Sequence, residues 1–162
     1  MRHFKHLFLA ALILFLMISA VACTPASTPE EPKTGGESIT TEQKGEIPAQ
    51  GLWKDAVYRE DTALGSGKKV VQVEVKADEQ SITFTISTDA ENLGDALLEN
   101  KIVEGEEGAF GLYIKKVNGI LADYDTDSTY WGFFQNGEYM MTGVDSTAIS
   151  GGEHFELVRT KG

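Results

Sequence analysis

The chain has 162 residues, 24% of them charged, and a formal net charge of −11 at pH 7. This excess of carboxylates repels phosphate backbones, so the composition argues against a nucleic-acid partner. A single cysteine, Cys23, excludes an intramolecular disulfide, so the fold must depend on its hydrophobic core alone.

The N-terminus has the pattern of a secretory signal peptide. Arg2 and Lys5 precede an apolar run at residues 7–22, which is shorter than the ~20 residues needed to span a bilayer and ends in small residues. We therefore predict that residues 1–22 are removed. The remaining chain has 12 basic and 25 acidic residues, a net charge of −13.

Ala20-Val21-Ala22-Cys23 resembles a bacterial lipobox, in which the cysteine thiol is acylated and becomes the new N-terminus. The first position is Ala instead of the usual Leu, and the same small residues also suit an ordinary signal peptidase. A lone thiol in a secreted chain needs a reason, so acylation of Cys23 is favoured over free secretion. Several acyl chains, palmitate among them, give stable anchoring, which predicts attachment to the extracytoplasmic face of the cell membrane.

Residues 23–50 contain all four prolines of the chain, together with many Thr, Glu, Ser and Gly. Ile39 and Ile47 are the only branched aliphatic residues of this segment, so it has little apolar surface to offset the entropy of ordering. We predict a disordered tether that holds the following domain away from the membrane. A peptide ligand for some partner is the alternative interpretation.

Residues 51–162 are predicted to form one α+β domain with its core at about residues 68–160. Residues 52–64 are ambiguous between a strand and a packed arm. Residues 69–76 alternate Val with polar residues, and residues 81–87 alternate Ile and Phe with Thr and Ser. This alternation predicts the two half-buried strands of a hairpin.

A helix is predicted after this hairpin. Asn92 is a suitable N-cap, and Asp95 lies near the positive end of the helix dipole. The residues predicted to share one face are Leu93, Ala96, Leu97 and Lys101, with Leu98 beside them. Asn100 and Gly105 end the helix, which is too short to be stable alone and must pack on the sheet.

Four further strands follow the predicted helix. The first is residues 110–117, followed by a turn at Asn118-Gly119 and a segment that leads into an aromatic hairpin. That hairpin turns at Asn136-Gly137, whose tolerance of positive φ suits a type I′ turn, and residues 153–159 form the last strand. The order β-β-α-β-β-β-β predicts a β-grasp-like fold, with one helix packed on a mixed or antiparallel sheet.

The aromatic hairpin supplies the candidate ligand-binding residues, Tyr130, Trp131, Phe133 and Tyr139. Alternation places Trp131 and Phe133 on one side of the strand, and Tyr130 and Phe134 on the other. Phe134 is predicted to belong to the core, whereas Trp131 is equally compatible with core and open surface. An exposed aromatic face rimmed by polar groups would mark a contact for a ligand or a protein.

Asp123, Asp125 and Asp127 offer carboxylates at alternate positions, an arrangement that a hard cation such as Ca²⁺ accepts. An EF-hand loop would have Gly at its sixth position and Glu at its twelfth, where this chain has Ser128 and Phe134. An acidic, solvated loop is therefore the preferred interpretation, and a Ca²⁺ site the alternative.

No catalytic residue is predicted, and the chain is interpreted as a non-enzyme. His154 is the only histidine after the signal peptide, which supports neither a zinc site nor a Cys-His pair. No serine lies in a Gly-x-Ser-x-Gly elbow, and no carboxylate spacing singles out the acid/base pair of a glycosidase. His154 is predicted to be a surface residue of a strand.

A series of short motifs follows in order between residues 92 and 155: Leu93-Gly94-Asp95-Ala96-Leu97-Leu98, Gly111-Leu112-Tyr113-Ile114, Val117-Asn118-Gly119, Tyr130-Trp131-Gly132-Phe133, Asn136-Gly137-Glu138, Gly143-Val144-Asp145 and Gly151-Gly152. Their order and spacing resemble the transcobalamin C-terminal-like domain of unknown function, found in surface lipoproteins of Gram-positive bacteria. With the preceding hairpin, the resemblance covers about residues 68–160. It implies a small α+β binding module.

In animal cobalamin carriers, the related domain closes over the corrin ring opposite an α-helical barrel. The sequence contains no such barrel, so the resemblance does not transfer cobalamin binding to this chain. Cobalamin is kept only as a candidate ligand, and no resident cofactor is predicted. The signal peptide and the lipobox-like sequence predict an extracytoplasmic, membrane-anchored lipoprotein, and the resemblance implies that its domain binds a corrinoid or another flat, partly apolar molecule. An envelope protein-interaction or adhesion module is the alternative. The predicted partners are membrane lipid, through acylated Cys23, and a small-molecule ligand or an envelope protein.

Overall fold

The computed structural model describes residues 45–109 and 111–162. The predicted signal peptide, Cys23, the larger part of the predicted tether and Phe110 lie outside the described residues. The described elements are β1 (Thr62–Gly65), β2 (Lys69–Ala77), β3 (Gln80–Thr88), α1 (Leu93–Glu99), β4 (Val103–Gly108), β5 (Gly111–Val117), β6 (Ile120–Leu121), α2 (Tyr124–Asp127), β7 (Thr129–Gln135), β8 (Glu138–Tyr139) and β9 (His154–Lys161), with 3-10 helices at Gly51–Lys54 and Val144–Ser146.

The described strands form two sheets. The larger sheet has the order β1-β3-β2-β9-β7-β8 and the smaller one the order β4-β5-β6. The larger sheet is mixed, since β1 runs parallel to β3 and β2 parallel to β9, whereas its other pairs are antiparallel. The predicted α+β class, with a helix and a mixed sheet, is confirmed.

Alternating apolar residues place the core on one face of the larger sheet. The strands predicted at residues 69–76 and 81–87 are confirmed as the β2–β3 hairpin. Its inward-facing side chains are Val71, Val73, Val75, Ile82, Phe84 and Ile86, all at most 1% exposed. Phe155 and Leu157 of β9 are fully buried in the same cluster, so alternation identified the inner face of all three strands.

The predicted N-cap of α1 is confirmed, because the Asn92 side chain accepts a hydrogen bond of 2.8 Å from the Asp95 amide. Leu93, Ala96 and Leu97 are fully buried. The predicted end of the helix at Asn100 is confirmed, because Asn100 is its C-cap. The extension of this end to Gly105 and the placement of Lys101 on the buried face are wrong. Lys101 is exposed and has φ +55°, and the amides of Lys101 and Ile102 bond to the carbonyls of Leu98 and Leu97. This pattern is a Schellman termination, which ends the helix at Glu99.

The structure also contains elements that the predicted order omitted. Strand β4 was missed because Val103 is its only buried residue and the remainder is Glu-rich and exposed. Strands β1 and β6 and helix α2 are four residues long or shorter, too short for a periodic signal. The order β-β-α-β-β-β-β is therefore corrected to nine strands among the described residues, divided between two sheets.

The segment before β1 packs against the core. Trp53, which is 3% exposed, donates its indole N–H to the Ala77 carbonyl at 3.1 Å. Ile47 is 6% exposed, and its amide donates to the Arg59 carbonyl at 2.7 Å. The packed chain therefore begins before residue 51, inside the segment predicted as tether, because these two side chains find apolar surface on the domain.

The described residues belong to one compact unit, and their buried apolar cluster lies entirely within it. A fragment of these residues therefore carries its own hydrophobic core and can fold as a separate domain. Within the described part of the chain, no helix is long and apolar enough to span a membrane.

Candidate ligand groove

The aromatic hairpin of β7 and β8 forms as predicted but is short on one side. Asn136 and Gly137 both have positive φ, +51° and +82°, as a type I′ turn requires. Strand β8 ends at Tyr139, and one more hydrogen bond, from the Met140 amide to the Phe133 carbonyl at 2.9 Å, closes the pairing. Beyond that point, none of the described strands is hydrogen-bonded to this edge of β7, so the adjacent segments can form a groove beside it.

That groove lies between the edge of β7, strand β5 of the smaller sheet, and the chain that follows β8. Its volume is about 310 Å³, and its lining residues are Leu112, Tyr113, Ile114, Tyr130, Trp131, Phe133, Tyr139, Met140, Met141, Thr142, Gly143 and Val144. Nearly all of them are apolar or aromatic. This composition is typical of sites that bind a small, partly apolar molecule.

The four predicted ligand-binding residues all line this groove. Trp131 and Phe133 are on its inner side, each 8% exposed, and the Phe133 ring is 5.8 Å from that of Phe155 in the core. Tyr130 is half-buried, and Tyr139, 53% exposed, stands at the rim. The structure thus brings the four side chains together, and ligand binding by them stays a prediction.

Phe134 was predicted to be core, which is wrong. It lies on the outer face of β7, where it is half-buried and packs edge-to-face against Tyr139 with ring centroids 5.3 Å apart. A Cβ at Gly132 would come within 3.0 Å of the Phe134 ring, so glycine leaves the space that this ring occupies. Phe134 remains partly exposed because the helix and the smaller sheet contribute to the core on the opposite face.

Two polar atoms near the groove are buried without a hydrogen-bond partner among the described residues, Nε1 of Trp131 and Oδ1 of Asp145. The other oxygen of Asp145, Oδ2, accepts a long bond of 3.4 Å from the Leu112 amide. The Asp145 carboxylate packs against Gly111, which has φ +97°. A Cβ at position 111 would lie 2.2 Å from Oδ2, so only glycine leaves room for this carboxylate. The bond from the Leu112 amide connects the turn that contains Asp145 to β5, 33 positions earlier in the chain.

Glu156 holds the hairpin turn in place, a role that the sequence did not reveal. Although charged, it is only 8% exposed. Its carboxylate accepts from the Gly137 amide at 2.7 Å and from the Lys76 ammonium at 2.6 Å. The hydrogen bond from Lys76 lowers the pKa of Glu156, and the same bond raises the pKa of Lys76. The only available signal was a glutamate between two buried residues of a strand.

The three aspartates proposed for Ca²⁺ are used locally. Asp123 caps α2, accepting from the Asp125 amide at 3.1 Å and from the Thr126 hydroxyl at 2.9 Å. Asp127 bonds to Thr129 and Arg159, and the hydrogen bond from the Thr129 hydroxyl lowers its pKa. In the described part of the chain, no three His, Cys, Asp or Glu side chains are grouped as a metal site.

Other hollows are more polar. One of about 450 Å³ covers Thr-rich positions on the outer face of the larger sheet and includes His154. His154 is half-exposed on β9, with Nε2 4.0 Å from Glu74, in agreement with its prediction as a strand-surface residue. A second hollow, about 330 Å³, adjoins the groove at Tyr113 and is lined by Glu106, Lys115 and Asp123 among others. The groove beside β7 therefore has the most aromatic lining of these hollows.

Comparisons with known proteins give matches to one protein family and to solved structures. The family described as "Domain of unknown function (DUF4430)" matches residues 90–157. A crystal structure of a proposed metal-binding protein from Ruminococcus gnavus ATCC 29149 is 35% identical, with a TM-score of 0.56, and the match covers 59% of this chain and 99% of that one. A structure of haptocorrin in complex with Cbi is 23% identical, with a TM-score of 0.47, over 57% of this chain and 25% of haptocorrin. The comparison with curated proteins gives no match.

Proposed function

Because this chain belongs to the transcobalamin C-terminal-like DUF4430 family, we propose that it is a non-enzymatic domain that binds a flat, partly apolar small molecule. The observation that carries the proposal is the groove in which Tyr130, Trp131, Phe133 and Tyr139 converge. Aromatic rings offer large apolar faces at a low entropic cost, so they suit a planar ligand.

The size of the groove limits how a ligand can be held. About 310 Å³ is at the lower end of the range for pockets that enclose a drug-sized ligand. A corrinoid would therefore rest against the groove with one edge or face and remain partly uncovered. A corrinoid is still the first ligand to test, because the family resemblance relates the domain to cobalamin carriers.

A metal ion is a second ligand to consider, since the Ruminococcus gnavus relative is proposed to bind metal. The carboxylates of this chain support a metal ion less well than the groove supports a flat molecule. The Asp123 carboxylate caps α2 and accepts from the Thr126 hydroxyl, and the Asp127 carboxylate bonds to the Thr129 hydroxyl and to Arg159. Binding of a cation would have to replace these bonds, whereas the groove offers a surface that is already formed.

The location of the protein is part of the proposal. The sequence pattern before Cys23 supports export and acylation, which would place the domain on the outer face of the membrane. Labelled palmitate is expected to enter the wild-type protein and not Cys23→Ala. Label in both proteins, or in neither, would contradict the lipid anchor without affecting the groove.

Absorbance titration with cobinamide and cobalamin tests the groove, using residues 41–162 to avoid detergent. A saturable spectral shift and thermal stabilisation are expected, both weakened in Tyr139→Ala. Tyr124→Ala is the matched control, because Tyr124 is 56% exposed, close to the 53% of Tyr139, but does not line the groove. An equal loss of the spectral shift and of thermal stabilisation in Tyr139→Ala and Tyr124→Ala would contradict binding in the groove.

An envelope protein partner is the alternative, favoured by one observation: Tyr139 and Met141, 53% and 91% exposed, form an apolar rim. Exposed aromatic and Met side chains are enriched at protein interfaces. If small molecules leave the domain unchanged and a crosslinker placed at Met141 captures one specific envelope protein, this second function replaces the first.

A further inference from the structure

The polar atoms beside the groove carry information about ligand chemistry. Nε1 of Trp131 can only donate a hydrogen bond, and a carboxylate oxygen such as Oδ1 of Asp145 can only accept one. Both are buried without a partner among the described residues. The second indole of the chain, that of Trp53, is buried with its N–H bonded to the Ala77 carbonyl at 3.1 Å. Buried polar groups are nearly always paired, so the two orphaned atoms need an explanation.

Each of the two atoms is connected to the groove. Trp131 is itself a lining residue and is 92% buried, the complement of its 8% exposure. Asp145 follows directly after Gly143 and Val144, which line the groove, and it bonds to the amide of Leu112, which also lines it. The unpaired donor therefore belongs to a residue that lines the groove, and the unpaired acceptor belongs to a residue that is hydrogen-bonded to one.

The outer wall can move. Met141 and Thr142 are exposed and make no hydrogen bond to any described residue. The neighbouring chain is held at Met140, by its bond to Phe133, and at Gly143, whose carbonyl accepts from the Thr147 hydroxyl. A displacement of the two residues between these points would widen the groove and leave both attachments intact.

We propose that the groove selects ligands with an uncharged carboxamide or lactam edge, a specificity that rests on the proposed ligand-binding function. The ligand carbonyl accepts from Trp131 Nε1, and the ligand N–H donates to Asp145 Oδ1. A carboxylate ligand would face the charge of Asp145 and a net charge of −13 on the mature chain. An ammonium ligand would satisfy Asp145 but would leave the indole without an acceptor.

Three probes that share one ring separate these cases: 1-naphthamide, 1-naphthoate and 1-naphthylmethylamine. Each is titrated into ¹⁵N-labelled residues 41–162 and followed by the indole N–H signals of the two tryptophans. We expect the amide to shift the Trp131 signal downfield, to leave the Trp53 signal in place, and to bind about tenfold more tightly than either charged probe. An unmoved Trp131 signal at saturation, as expected if buried water already pairs the two atoms, overturns the proposal.

Two variants sharpen the test. Asp145→Asn exchanges an acceptor for a donor, and it is expected to remove the preference for the amide over the acid. Trp131→Phe removes the N–H and is expected to weaken amide binding about tenfold while the naphthoate affinity changes little. If Trp131→Phe fails to fold, the wild-type indole shift and Asp145→Asn decide the question.

The outcomes separate this inference from the proposed function. Equal affinity for all three probes, with shifts in the groove, overturns the selectivity and leaves ligand binding intact. Absence of binding by every probe overturns the selectivity, and it also contradicts the proposed function if cobinamide fails to bind.

Discussion

Removal of the Glu156 carboxylate should loosen the hairpin that carries the aromatic residues. In Glu156→Ala, the Gly137 amide and the Lys76 ammonium each lose a charge-assisted acceptor. A hydrogen bond to a charged group contributes about 1.5–3 kcal/mol. Gly137 is exposed and the Lys76 side chain is 35% exposed, so water replaces part of this loss. We expect a decrease of about 2–3 kcal/mol in the free energy of unfolding.

The contribution of Glu156 should depend on pH. Because the folded-state pKa of Glu156 is lowered from its ordinary value of 4.5, its contribution is fully present above that value and is lost as the pH falls through the lowered pKa. The pKa of Lys76 is raised from its ordinary value of 10.5. The contribution of Lys76 to the free energy of unfolding is therefore fully present below pH 10.5 and is lost as the pH rises through the raised pKa. The difference between wild type and Glu156→Ala should therefore be largest near neutral pH and should shrink in acid.

Thermal and urea unfolding of residues 41–162, followed by circular dichroism at several pH values, measures this effect. At about 4 °C per kcal/mol for a domain of this size, Tm should fall by about 10 °C in Glu156→Ala at pH 7. Glu104→Gln is the control, because its ion pair with Lys116 is exposed and should contribute under about 1 kcal/mol. Equal Tm values for the two variants, or a pH-independent difference, would refute the structural role of Glu156.

Two further substitutions test the helix cap and the support of Asp145. Asn92→Ala should lower the free energy of unfolding by about 1 kcal/mol, whereas Asn92→Asp should retain the cap; equal urea midpoints for wild type and Asn92→Ala would contradict the cap bond. Gly111→Ala should cost more than about 2 kcal/mol, because it adds a 2.2 Å clash with Asp145 Oδ2 to the strain of φ +97°. Gly137→Ala is the control for backbone strain alone, because Gly137 has φ +82° and open space around it. It should lower the free energy of unfolding by about 1 kcal/mol. A similar decrease in Gly111→Ala and Gly137→Ala would show that the Asp145 carboxylate does not lie against Gly111.

The parts of the fold that could be predicted are those coded by short-range pattern. Alternation identified β2, β3 and β9, and the Asn-Gly dipeptides identified two turns with positive φ. Asn100 was correctly identified at the end of α1. The Schellman motif that follows it could not be predicted, because its left-handed residue is Lys101 and not the usual glycine. Strand β4 has no apolar periodicity and exists because β5 is available to pair with it.

The site was predictable in composition but not in geometry. The aromatic hairpin identified Tyr130, Trp131, Phe133 and Tyr139, but sequence alone could not say which face of β7 would be covered. The covered face of β7 is determined by β5, which is distant in sequence, and by the chain after β8, which is irregular. The bonds of Asp145 to Leu112 and of Glu156 to Lys76 connect residues 33 and 80 positions apart, beyond the range of any local pattern.

Chemical-shift mapping with a flat ligand is the most direct test of whether the groove beside β7 binds a small molecule. Residues 41–162 are labelled with ¹⁵N and titrated with cobinamide and, separately, with 1-naphthamide. We expect saturable changes in amide chemical shift for at least one ligand. These changes should be centred on β7, β5 and residues 140–144, and they should be smaller in Tyr139→Ala. No saturable shift with either ligand, or shifts centred on the Thr-rich outer face around His154, would contradict binding in the groove.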